Sequence, residues 1–96
     1  MAALVEKRLL EYLLEKNIIG EKHTSEDNAI KCLPKHLRGE AKKALKKLIR
    51  EGYVLPKPTS YGMEVSLNPH RIAEIRGILR EKYNFHNQGE FTSAQS

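Results

Sequence analysis

The chain holds a single cysteine, Cys32, so it cannot close an intramolecular disulfide and nothing in its fold can depend on an oxidising compartment. No apolar run approaches the roughly 18 residues that a membrane-spanning helix needs. Glu6, Lys7 and Arg8 interrupt the first apolar stretch, which argues against a signal peptide. A cytoplasmic protein is the expectation. Aromatic residues make up only 6% of the chain, too few for the stacking platform on which single-stranded RNA recognition rests. There is no glycine-rich phosphate loop, no nucleophile elbow and no close pair of acids in an apolar setting, so the sequence supports neither an enzyme nor a cofactor. Cys32 and His36 lie four apart with His23 upstream. With no second cysteine and no ligand pair at zinc-type spacing, no metal site is expected.

Acidic residues are scarcest where basic ones are densest. Between Lys31 and Arg50 stand eight of the 17 Lys+Arg residues and one acid, Glu40. That window carries a net +7, whereas the other 76 residues carry nine basic and eleven acidic groups, a net −2. The formal charge of +5 is therefore local, and a local cationic surface is the footprint expected of a contact with a polyanion. At 96 residues, 40% hydrophobic and 30% charged, the chain is long enough for one domain with a small core. It contains no internal repeats.

Helical spacing of leucines predicts a first helix over about Ala2–Lys16, with an apolar band covering more than half its circumference and Lys7, Arg8, Glu11 and Glu15 on the remaining strip. Thr24, followed by Ser25, Glu26 and Asp27, reads as the N-cap and first turn of a short second helix that Pro34 brings to a halt. A third helix is predicted over about Lys35–Glu51. Leu37, Ala41, Ala44, Leu45, Leu48 and Ile49 form its apolar face, Lys43, Lys46 and Arg50 lie opposite, and Gly52 stops it. Two β-like runs, Tyr53–Leu55 and Met63–Leu67, flank a Pro56–Gly62 loop and read as a hairpin with both prolines toward the loop. Asn68 and Pro69 open a fourth helix ending near Tyr83, with Ile72, Ile75, Ile78 and Leu79 as its apolar set. Residues 1–83 are read as the domain, and residues 84–96, rich in Asn, Gln, Gly, Thr and Ser, as a disordered tail.

This order of elements resembles the winged helix-turn-helix family. The resemblance covers roughly Leu4 to Leu79 and is carried by the stretch AKKALKKLIREGYVLPKPTSYGMEVSLNP, where Leu48, Gly52, Tyr53 and Val54 fall at the end of the helix and the start of the hairpin. The chain is similar to the small basic winged-helix proteins common in archaea. The resemblance implies a mainly α fold with a three-helix core, a two-stranded wing and an additional C-terminal helix. It also implies that Lys35–Glu51 is a recognition helix for double-stranded DNA and that Pro56–Gly62 is the wing.

On that reading, Lys35, His36, Arg38, Gly39, Lys42 and Lys43 are candidates for proximity to base edges, because the N-terminal half of a recognition helix enters the major groove. Gly39 would let the backbone come close. Lys46, Lys47 and Arg50 suit phosphate contacts, and Lys57 and Tyr61 are the groups the wing could offer. The excess of Lys over Arg favours point-charge contact with phosphates over bidentate reading of guanine, so a regulator of transcription or a general chromosomal binder of modest sequence specificity is expected.

Three alternatives stay open at this level. The lysine-rich face could be a solvated surface, a module docking an acidic protein, or an RNA contact. The wide apolar band of the first helix and the isoleucine stripe of the fourth could pair across a two-fold axis to give a homodimer, with DNA half-sites about one helical turn apart. Packing of the two helices on each other within one chain would cover the same surfaces.

Overall fold

Leu9, Leu10 and Leu13 fall on one face of helix α1 (Leu4–Glu15) and are fully buried there, which gives the core its first wall. The computed structural model describes residues 4–87. After α1 come a short strand β1 (Thr24–Ser25), helix α2 (Glu26–Ile30), a 3-10 turn (Lys35–Leu37), helix α3 (Arg38–Arg50), strands β2 (Val54–Thr59) and β3 (Gly62–Leu67), a second 3-10 turn (Pro69–Arg71) and helix α4 (Ile72–Asn87). The described residues thus form a small α+β domain with four helices and a three-stranded antiparallel sheet in the order β1-β3-β2. None of the described helices is long and apolar enough to cross a membrane.

The sheet has one strand more than the sequence reading gave it. Thr24 is not the cap of α2. It pairs with Val65 of β3, and Ser25 takes the N-cap role, its Oγ accepting from the Asn28 N–H at 3.1 Å. Either hydroxyl could have capped the helix; pairing with β3 claims the backbone of Thr24 and moves the helix start one residue on. Ile19 adds a parallel bridge to Leu67, and the Ser66 Oγ donates to the Gly20 carbonyl at 2.9 Å, so the segment after α1 is stitched to β3.

The hairpin is longer and tighter than expected. Pro56, Lys57, Pro58 and Thr59 belong to β2, and Thr59 faces Gly62, so only Ser60 and Tyr61 form the turn. Counting outward from that turn, Pro56 and Pro58 occupy non-hydrogen-bonded positions of the ladder. Their missing N–H groups face the free edge of β2, where no ladder bond is lost. Thr59 locks the turn: its Oγ1 donates to the Gly62 carbonyl at 2.8 Å and accepts from the Tyr61 N–H at 3.1 Å.

Val54, Val65 and Leu67 project from one face of the sheet into a core completed by Leu45 and Leu48 of α3, Ile75 and Leu79 of α4, and Ala29, Ile30 and Leu33 around α2. Helix α1 packs against α2, α3, α4 and β3, which accounts for its wide apolar band within a single chain. Val5, Tyr12 and Leu14 lie half-buried against the core, and Leu4 alone among the large apolar residues of α1 stands out, 73% exposed. Helix α4 continues past Tyr83 to Asn87, so the first residues assigned to a tail are helical; residues 88–96 of that tail lie outside the described residues.

Candidate nucleic-acid interface

Helix α3 is held at both ends and along one face, which fixes the direction of the other face. Ala41, Ala44, Leu45 and Leu48 are buried, and the Gly39, Lys42, Lys43, Lys46 and Arg50 positions are exposed. At its C-terminus the Gly52 N–H donates to the Ile49 carbonyl at 3.1 Å and the Tyr53 N–H to the Leu48 carbonyl at 3.0 Å, the paired bonds of a Schellman ending. Gly52 has φ +87°, and a Cβ there would lie 2.9 Å from the Arg71 Nη1. Arg71 in turn donates to the Glu51 carbonyl at 3.2 Å, lies 4.4 Å over the Tyr53 ring and pairs with Glu74. The Asn68 Nδ2 donates to the Gly52 carbonyl at 2.9 Å. The 3-10 turn that leads into α4 thus clamps the end of α3.

Exposed Lys42, Lys43, Lys46 and Arg50 make no ion pair with any described residue. Lys42 with Lys46, and Lys46 with Arg50, repel at i,i+4 spacing, each at a cost of a few tenths of a kcal/mol. The face therefore carries charge that no described carboxylate pairs, and a polyanion would neutralise it. Lys35 and His36 are exposed on the 3-10 turn that leads into the helix. Gly39 sits on the same outer side near the N-terminus; a Cβ there would meet nothing within 4 Å, so no internal packing calls for a glycine.

Two of the residues singled out from the sequence are used internally. The Arg38 Nε donates to the Leu33 carbonyl at 3.2 Å, folding the side chain back over the turn between α2 and α3. Lys47 points to α1, where its Nζ lies 3.3 Å from the Glu6 Oε2. Lys57 and Tyr61 stand on a separate element, the hairpin. Lys57 is exposed and faces Glu64 across the ladder. Tyr61 is 97% exposed at the turn, and beside it Glu26, Asp27 and Glu64 line a shallow recess. The surface beside the hairpin tip, where α2 begins, is accordingly acidic, in contrast to α3.

Glu6 reads in the sequence only as an interruption of the apolar stretch, and its burial was not expected. Its signal was there: it precedes Leu9, Leu10 and Leu13 by three, four and seven residues and so lies on the apolar stripe of α1, where it is 5% exposed. Cys32 is half-buried with its Sγ 4.0 Å from the Arg8 carbonyl, and burial pushes its thiol pKa up, which works against the thiolate that metal binding or nucleophilic chemistry requires. The described residues contain no group of three or more His, Cys, Asp or Glu side chains that could hold a metal ion. Comparison with family models, with curated proteins and with solved structures finds no match to this chain.

Proposed function

We propose that the protein is a winged helix-turn-helix that binds double-stranded DNA, with α3 in the major groove. The observation that carries this reading is the exposed, unpaired cationic face of Lys42, Lys43, Lys46 and Arg50, fixed in direction by the buried face of the same helix. The fold assignment is supported by the element order helix, strand, two helices, hairpin, helix, and by the strand order β1-β3-β2. In this arrangement Lys35 and His36 approach the groove from the helix start, Gly39 allows close backbone approach, and the lysines and Arg50 contact phosphates. The hairpin plays a secondary part through Lys57 and Tyr61, since the carboxylates beside its tip oppose a phosphate-gripping wing. Phosphate contacts by lysine carry no sequence information, so a general chromosomal binder or a regulator of low sequence specificity fits best.

Titration of the isotope-labelled protein with a mixed-sequence duplex, followed by amide NMR, tests the assignment. The largest shifts are expected within residues 35–50, with smaller ones around Tyr61. Shifts centred on the acidic surface beside the hairpin tip and on α2 would point to a basic protein partner instead.

A further inference from the structure

The Glu6–Lys47 contact is hard to explain as a stabilising element. Glu6 is 5% exposed, yet only one of its oxygens has a partner: Oε2 lies 3.3 Å from the Lys47 Nζ, while Oε1 is buried with no hydrogen bond to any described residue. A buried carboxylate with half of its acceptors unmet costs stability, and an apolar residue would continue the stripe formed by Leu9, Leu10 and Leu13. What the carboxylate does achieve is positional. It draws the Lys47 ammonium onto α1, into a recess that it shares with Val5, Glu40, Lys43 and Ala44. Lys47 stands one turn from Lys43 and next to Lys46, so without that pull its flexible stem would let the charge swing onto the exposed face.

We propose that Glu6 is a positioning residue that competes with the DNA backbone: its carboxylate takes the place of a phosphate oxygen at Lys47 and so limits how many cations α3 presents to a duplex. The proposal rests on the DNA reading above. It makes Lys47 a reserve contact, silent while Glu6 is in place. It also gives α1, which lies behind the recognition helix, an influence over affinity without touching DNA.

Duplex affinity measured against salt in the wild type, Glu6→Gln, Glu6→Leu, Lys47→Gln and the Glu6→Gln/Lys47→Gln double variant tests this, with thermal melts confirming that each is folded. One released lysine steepens the slope of log affinity against log salt by about 0.9. Both Glu6 variants are expected to show that increase, Lys47→Gln alone to keep the wild-type slope, and the double variant to return to it; Glu6→Leu stands in if the glutamine variant folds poorly. Amine acylation of the free protein, read by mass spectrometry, should find Lys47 slower than Lys46 in the wild type and equally fast in the Glu6 variants. A lowered slope in Lys47→Gln alone, an unchanged slope in the folded Glu6 variants, or equal acylation in the wild type overturns the proposal. Loss of binding by every protein at about 50 mM salt would remove the DNA reading and this proposal together.

Discussion

Two glycines, one in α3 and one just past its end, have opposite reasons for being there, and substitution by alanine separates them. Gly52 carries φ +87° with Arg71 pressed against the place of a Cβ, so Gly52→Ala is expected to lower stability by about 1–2 kcal/mol in a denaturant titration, the cost of left-handed backbone for an L-residue. Gly39 has open space around it and stands in the first turn of α3, where alanine is still the better residue, by less than the roughly 0.5–1 kcal/mol of a helix interior. Gly39→Ala should therefore raise stability, and on the DNA reading it should weaken duplex binding severalfold by placing a methyl group between the helix backbone and the groove. Stabilisation with unchanged binding would show that the start of α3 stays clear of DNA. The sequence announced Gly52 through its place after a periodic run. The role of Glu6 was obscured because one acid among leucines reads as an interruption of the apolar band, and only the packing of α1 on α3 shows it buried beside a lysine.

At the scale of elements, α3 was the most legible part of the chain, since its apolar and cationic residues separate cleanly at helical spacing and its ending is signalled by glycine. The sheet was legible in part. Its third strand is two residues long and made of Thr and Ser, residues equally suited to capping a helix, so local chemistry could not tell the two roles apart. The prolines of β2 masked the length of the hairpin, because their compatibility with a strand depends on which edge is free, a property of strand order and not of the segment itself. The crowding of like charges on α3 also bears on its stability. Lys46→Glu puts a carboxylate four residues before Arg50 and relieves two repulsions, so it should raise stability by roughly 0.3–0.5 kcal/mol while reducing affinity for DNA. A destabilised variant would mean that the lysine contributes to the fold, contrary to its exposed, unpaired state.

For the whole molecule, the sequence left two ways to cover the apolar sides of the first and last helices, and the described residues show them packed on one another within the chain. Among the residues whose burial is described, the exposed large apolar ones are Leu4, Leu55, Tyr61 and Met63, of which Leu4 lies on α1 and none on residues 72–80 of α4. Little exposed apolar surface is thus left, among the described residues, on α1 and on residues 72–80 of α4. Sedimentation at micromolar concentration is expected to give the 11.0 kDa monomer, and a stable dimer would restore the paired-helix arrangement together with a palindromic site.

Charge is likewise a property of the whole molecule, with a cationic α3 set against an acidic surface beside the hairpin tip, and it yields the most direct test. Fluorescence anisotropy of a mixed-sequence duplex would be followed across a salt series for the wild type and for a variant carrying Lys43→Glu, Lys46→Glu and Arg50→Glu. With about four cations on the face reaching phosphates, the wild type should show a log–log salt slope of roughly −3.6. The variant should remain folded by circular dichroism and lose binding. Absence of wild-type binding at low salt, or binding that survives in the folded variant, would contradict the assignment of α3 as a DNA-binding surface.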